Sequence, residues 1–318
     1  MRIGIDIGGM TVKLGLVDGE KIVAKKVVET DSAKLAPEEV IHNIATAAIA
    51  LLKENQVGEK ECESIGIACP GSVEPKKGTV LYANNIAWEN VPLLELFAQY
   101  MMQDAQMQIP LAIANDADAA ALGEVLYGAA KGKNNAILLT LGTGVGGGVI
   151  MDKKIFSGYM AGGCELGHMV IEREGKLCTC GRKGCLEMYA SATALMDLAR
   201  TAATNQPDSM MNEMCGNDLS KLNGKMIFDA QKQKDSAAMQ VVDTYEEDLS
   251  IGIANLVNIF RPEIFILGGG VSAQKEYLTD ELQKRVNGLC FDVKYGYVPP
   301  IVTSQLGNDA GIIGAAYL

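Results

Sequence analysis

This chain is poor in positive charge. Its 28 lysines and arginines are outnumbered by 39 aspartates and glutamates, which leaves a net charge of −11. A general nucleic-acid or anionic-membrane surface needs a basic face, so both are excluded. An anionic ligand would have to be held by backbone N–H groups, helix N-termini and a cation rather than by a basic patch. No apolar run reaches the roughly 18–20 residues of a membrane span. The opening residues, MRIGIDIGG, carry neither the apolar core nor the cleavage site of a secretory signal, which points to the cytoplasm. Histidine is nearly absent, and one of the two, His168, falls in the stretch richest in metal-ligating side chains.

That stretch, ELGHMVIEREGKLCTCGRKGCLE from Glu165 to Glu187, gathers His168, Cys178, Cys180 and Cys185, with Gly181 and Gly184 to turn the chain tightly. Zinc takes thiolate and imidazole ligands tetrahedrally. Four protein ligands close the shell, so the expected ion is structural and not catalytic. Glu165 and Glu187 bracket the site without being needed as ligands; the metal would fix a loop and aim those carboxylates elsewhere. The competing reading is a redox pair, but Cys178-x-Cys180 lacks the two-residue spacer of a thioredoxin-type motif. The chain has eight cysteines in all, read as reduced thiols; Cys62, Cys69, Cys164, Cys215 and Cys290 are expected in core or loops.

At 318 residues and 48% hydrophobic, two domains are expected. RIGIDI (2–7) reads as a strand, Gly8-Gly9 as a turn, and VKLGLVD and KIVAKKVV as hairpin strands. Asp6, among apolar residues, is costly without a partner. It is either a turn residue bonded to the glycines or a magnesium-associated carboxylate beside a phosphate loop. Pro37 opens a helix to about Asn55 with Val40, Ile41, Ile44, Ala48, Leu51 and Leu52 as its buried stripe. SIGIAC (64–69) is a buried strand ending in Pro70-Gly71, and residues 72–91 read as a loop. A strand ends at Asn115-Asp116 and a helix follows to Tyr127. Ser191 caps a helix to about Asn205, residues 206–223 read as a polar loop, and a long helix runs from about Ser236 to Phe260, where Pro262 stops it. IFILGGGVS leads a buried strand into a triple glycine.

AILLTLGTGVGGGVIMDKKIF (136–156) repeats the plan of residues 2–22: a shift of 134 residues sets Gly8 on Gly142 and Asp18 on Asp152. GTGVGGG leads into a strand, not a helix, so it fails the test of a dinucleotide fingerprint. Glycine turns after strands at 8–9, 142–148 and 268–270 let backbone N–H groups approach a ligand. Two related turns would clamp phosphates, and the third could hold an adenosine.

The segments DIGG (6–9), Pro70-Gly71, NDADAAALGE (115–124), GTGVGGG (142–148), ELGH (165–168), CTCGRKGCLE (178–187) and LGGGVS (267–272) resemble, in family order, a sugar kinase of the ROK family. The resemblance implies an α/β, two-domain actin-like ATPase (ribonuclease H-like) fold with duplicated βββαβαβα-type domains and an active-site cleft between them. Residues 1–117 plus 301–318 would form the smaller domain, and 118–300 the larger one with the zinc loop. Asp116 would be the general base for a sugar hydroxyl, with helix N-capping as its alternative role. Gly71, Asn85, Asn115, Glu165, His168 and Glu187 would join it in holding the sugar, His168 using its second ring nitrogen. Gly8, Gly9, Thr11, Thr143 and Gly144 would hold the phosphates of ATP, Gly269 and Gly270 would lie near the adenosine, and Asp6 would hold Mg²⁺ through water. A homodimer or homotetramer through the larger domain is implied.

Two positions depart from the family pattern. Met10 stands where the first phosphate turn usually has threonine, and a thioether cannot donate to a phosphate. Asp118 stands where asparagine is common; two residues past Asp116 on a helix, it is expected to face away. The leading function is an ATP-dependent hexose kinase, with glucose as substrate. The alternatives are a kinase for fructose or an N-acetylhexosamine such as N-acetylmannosamine or N-acetylglucosamine, and a catalytically weak sugar sensor, which only Met10 favours. The winged helix of the family's DNA-binding repressors is not expected, because the first strand begins at Arg2.

Overall fold

A computed structural model describes residues 1–159, 163–295 and 297–318. The chain opens with β1 (Arg2–Ile7), β2 (Thr11–Asp18), β3 (Lys21–Glu29), α1 (Pro37–Glu54) and β4 (Ser64–Cys69). Three short strands, β5 (Ser72–Glu74), β6 (Thr79–Ala83) and β7 (Trp88–Val91), precede α2 (Leu93–Ala105), β8 (Leu111–Asn115) and α3 (Asp116–Tyr127). Then come β9 (Ala136–Leu141), β10 (Val145–Met151), β11 (Lys154–Ile155), α4 (Glu187–Ala190), α5 (Ala192–Asn205), α6 (Met210–Met214), α7 (Gly224–Lys232) and α8 (Ser236–Phe260). The chain closes with β12 (Ile264–Gly268), α9 (Glu276–Leu289), β13 (Ile301–Thr303) and α10 (Ala310–Ala316).

The duplicated plan is present in the strand order. One sheet runs β3-β2-β1-β4-β8 and another β11-β10-β9-β12-β13, so each hairpin-linked trio is extended on its first strand by two crossover strands. β1 pairs β2 antiparallel and β4 parallel, and β4 pairs β8 parallel. Packing divides the chain into two compact units. The first is Met1–Ala136, Gly148–Cys164 and Gln305–Leu318; the second is Ile137–Gly147 and Glu165–Ser304. Residues 118–136 and 148–164, expected in the larger domain, group with the first unit, and 301–304, expected in the smaller, with the second.

The core of the first unit is the aliphatic face of β1, β2 and β4 under α1, whose expected stripe of Val40, Ile41, Ile44, Ala48, Leu51 and Leu52 is buried. The other face carries glycines. A Cβ on Gly4 would lie 1.8 Å from the Ile312 carbonyl oxygen, and one on Gly66 1.7 Å from that of Ala315. Gly314 in turn lies against the backbone of α3, where a Cβ would meet the Ala119 oxygen at 1.6 Å. α10 therefore lies with its backbone directly on β1, β4 and α3. No side-chain rotation relieves such a collision. Gly66→Ala should cost at least the ~1–3 kcal/mol of an overpacked core, read as a lower midpoint in urea; an unchanged midpoint would refute this packing.

Two segments differ from the loops expected. Residues 72–91 form a separate three-stranded sheet, β5-β6-β7, in which Val73, Val80, Ala83, Trp88 and Val91 are buried although neither β6 nor β7 alternates strictly. Residues 206–223 contain α6, started by Ser209, whose Oγ accepts from the Met211 N–H and donates to Asp235. Met211 is fully buried there. α8 ends as expected before Pro262, with Arg261 in the left-handed region as its cap. Among the described residues no helix is long and apolar enough to cross a membrane.

Candidate active site and metal centre

In the first unit, three neighbouring parallel strands end together. Asp6 lies opposite Ala68, and Cys69 opposite Asn115, so Asp6, the Gly71 turn and Asp116 stand at the carboxyl ends of β1, β4 and β8. Such ends are where open α/β sheets place ligands. Gly71 has φ +82, and a Cβ there would lie 2.1 Å from the Tyr82 carbonyl oxygen, so only glycine fits. Asn115 is the N-cap of α3: its Oδ1 accepts from the Ala117 and Asp118 N–H groups at 2.8 and 3.2 Å. Its Nδ2 donates to the Gly71 carbonyl at 3.0 Å, which ties the turn to the helix start. The capping role weighed for Asp116 thus belongs to Asn115, although Asp116 Oδ1 also accepts from the Ala117 N–H. Gly8 and Gly9 form the turn before Thr11, and the Asn85 carbonyl oxygen would lie 3.5 Å from a Cβ on Gly9.

Burial raises the pKa of Asp116, against hydrogen bonds that lower it. Burial likewise lifts Asp6 from 3.8 to about 6; Lys13 opposes the rise and Asp116 adds to it. A neighbouring cation would offset that cost, so this position suits Mg²⁺. Cys69 is pushed well above the ordinary thiol value by burial and then by Asp116 and Asp6, and stays a neutral core thiol as expected. The folded pKa of Asp6 exceeds the unfolded one, so the native state binds the extra proton. Stability is lost as pH rises from about 4 through about 6. Asp6→Asn should therefore raise stability at pH 7.5 by up to ~3 kcal/mol and give no gain below pH 4. Denaturant melts at the two pH values check this, and equal effects at both would contradict it.

In the second unit, Thr143 and Gly144 lie in the turn between β9 and β10. Glu187 opens α4, and its Oε2 accepts from the Val145 N–H at 3.0 Å. A Cβ on Gly144 would lie 2.3 Å from that oxygen, so the glycine makes room for the carboxylate. Glu165 is exposed, at the start of the short helical turn Leu166–His168. Gly269 has φ +80 and stacks on the Leu141 backbone, where a Cβ would meet the carbonyl oxygen at 2.4 Å; Gly270 has open space beside it.

The ligand atoms of His168, Cys178, Cys180 and Cys185 all lie within 4.8 Å of one another. Tetrahedral bonds of about 2.3 Å to sulfur and 2.0–2.1 Å to nitrogen imply S···S and S···N separations of roughly 3.8 and 3.6 Å. Cys180 Sγ lies 3.6 Å from Cys185 Sγ, and Cys178 Sγ lies 3.6 Å from His168 Nδ1. The donor set thus fits zinc, with Nδ1 toward the metal and Nε2 left over. Gly181 and Gly184 turn the chain with φ of 85 and 80.

The sequence profile of the ROK family matches residues 2–318. The chain belongs to the ROK family. It is 36% identical to the glucokinase of Thermotoga maritima over 315 residues, 99% of this chain and 95% of that one. Identity to the glucokinase of Streptomyces coelicolor is 35% over 324 residues, 100% and 97% of the two chains. A ROK glucokinase from Streptomyces griseus, solved with glucose and AMPPNP, superposes with a TM-score of 0.82 at 33% identity, covering 99% and 98% of the chains. The fold is accordingly the actin-like ATPase fold of ROK sugar kinases.

The two departures from the ROK pattern have separate settings. The Met10 side chain is 85% exposed, so the turn does not use it for packing. Asp118 is buried and lines a cavity of about 450 Å³ with Asn115, Leu122, Lys153 and Tyr317. One buried carboxylate of the ROK segment was not singled out by sequence: Glu124 accepts from the N–H groups of Ala129, Gln305 and Leu306, anchoring the chain that leads into α10. No local pattern marks such an acceptor, because its donors lie up to 182 residues away.

Proposed function

We propose that this protein is an ATP-dependent hexose kinase that converts glucose and MgATP to glucose 6-phosphate and MgADP, with Asp116 as general base. The observation that carries this is Asp116 itself, a carboxylate of raised pKa at the start of α3, beside the Gly71 turn that Asn115 holds in place. Phosphoryl transfer is loose, so the protein's work is positioning and late acceptance of a proton. Asp116 would orient the 6-hydroxyl and take its proton as the new P–O bond forms and the bond to the ADP oxygen breaks. A raised pKa brings the base nearer the operating pH.

Glu165, His168 and Glu187 would accept from or donate to the remaining hydroxyls, with Gly71 and Asn85 beside them. Asn115 spends its oxygen and one N–H on the fold and keeps a single N–H for the sugar. Gly8, Gly9, Thr11, Thr143 and Gly144 would take the phosphates, Gly269 and Gly270 the adenosine, and Asp6 would hold Mg²⁺ through water. Zinc, when bound to His168 and the three cysteines, supplies order and no chemistry. Thiolate ligands need a reducing compartment, which favours the cytoplasm, and a homodimer or homotetramer through the larger domain completes the reading.

A coupled ADP-release assay with MgATP tests it, against glucose, fructose, mannose, N-acetylglucosamine and N-acetylmannosamine. Turnover on glucose above the others is expected. Turnover on another sugar alone would replace the substrate. Silence on all five by folded, zinc-loaded protein would leave the sugar-sensor reading, for which the exposed, non-donating Met10 is the one favourable observation.

A further inference from the structure

A backbone turn binds phosphate only if its N–H groups point outward together. In a planar trans peptide the carbonyl and the following N–H point opposite ways, so holding the carbonyl from behind aims the N–H forward. The first turn is held in this way. The Thr30 hydroxyl donates to the Gly8 carbonyl at 2.7 Å, and the Thr30 N–H donates to the Met10 carbonyl at 2.9 Å. Thr30 is fully buried, one residue past β3 and outside every glycine motif. The second turn is held by the same chemistry from different residues. The Ala192 N–H donates to the Gly142 carbonyl and the Thr193 hydroxyl to the Thr143 carbonyl, both at 2.8 Å. Among the described residues the N–H groups of Gly9, Thr143 and Gly144, which follow three of these held carbonyls, donate to no protein acceptor.

We propose that Thr30 and Thr193 are positioning residues, one behind each phosphate turn, whose hydroxyls fix the turn so that its N–H groups are presented to the nucleotide phosphates. This rests on the reading that those turns bind ATP. It also accounts for Met10: with its carbonyl held by Thr30, the turn keeps its shape without a donor side chain at that position. Each acts through the peptide plane in front of it.

The test uses Thr30→Val and Thr193→Val, which keep the shape and remove the hydroxyl, with Thr30→Ser and Thr193→Ser as rescue. Gly9→Ala and Gly142→Ala serve as controls, because a Cβ on Gly9 meets nothing closer than 3.5 Å and one on Gly142 meets nothing within 4 Å. Calorimetric titration with Mg-AMPPNP and separately with glucose, beside a melt, gives the readouts. Each valine variant should weaken AMPPNP by up to about tenfold, the worth of one hydrogen bond, and leave glucose affinity within about twofold; each serine variant should restore most of the loss. Valine variants that bind AMPPNP like the parent, while the glycine controls weaken it, would overturn the proposal and leave the phosphate reading standing. Valine variants that lose both ligands together with melting temperature would assign the threonines to stability alone and also overturn it. If the glycine controls bind AMPPNP like the parent, the phosphate reading itself fails and takes the proposal with it.

Discussion

Asp116→Asn should bind glucose with parental affinity and lose kcat by on the order of 10²–10⁴-fold, the usual contribution of a positioned general base. The substitution keeps the shape and the hydrogen bond from the Ala117 N–H to Oδ1, so the start of α3 is preserved. What it removes is the capacity to accept a proton. The pH profile gives an independent readout. The base works deprotonated, and burial has raised its pKa above the ordinary 3.8. In the parent, kcat/KM should therefore fall as pH drops through that raised value, while Asp6, at about 6, takes up a proton of its own. Asp116→Asn should flatten the limb that belongs to Asp116. Sustained turnover by the variant, with an unchanged acid limb, would remove Asp116 from the chemistry.

The second large effect concerns the metal. Stripping zinc, or Cys178→Ser, should weaken glucose by roughly 100-fold, as loss of the groups that orient a site does, and leave Mg-AMPPNP affinity within a few-fold. The loop from Val170 to Cys185 has little to hold it otherwise. Val170 and Leu177 are exposed, and apart from the metal ligands its order rests on backbone bonds such as Cys178 N–H to the Arg182 carbonyl at 2.7 Å and on a few side-chain ties, the Lys176 N–H to the Tyr189 hydroxyl at 2.7 Å and Arg182 to the His168 carbonyl. The same short segment carries His168 at one edge and Glu187 at the other. With Nδ1 toward the metal, the ring is fixed and Nε2 has one direction. Glucose calorimetry beside zinc stoichiometry decides the matter: full glucose affinity in zinc-free protein would show that the loop is ordered without the ion.

Much of this was legible in the chain because glycine and cysteine carry positional meaning. Gly71 and Gly269 adopt positive φ and touch backbone, and nothing else fits there. The cysteine spacing brought four ligands together in space as it does in sequence. The duplicated trio of strands was visible because its turns and its aspartate recur at a constant offset. Other features were not legible, for physical reasons. β5, β6 and β7 are three to five residues long, too short for alternation to stand out from a loop. α6 depends on Asp235, more than twenty residues away, accepting from Ser209 and Met210. Thr30 and Thr193 look like any threonine beside a strand or at a helix start; their meaning lies in which carbonyl each one reaches.

The backbone-on-backbone seat of α10 has a consequence during synthesis. β1 and β4 emerge early, yet the helix that covers their glycine face comes some 250–300 residues later, and chains grow at about 5–20 residues per second. For roughly 15–60 s the nascent sheet exposes Gly4 and Gly66 as flat, side-chain-free ground that another extended chain can occupy. A helper that shields this ground on the ribosome, or slow pairing by the sheet's own later strands, would set the yield of active protein well before the fold's equilibrium stability matters.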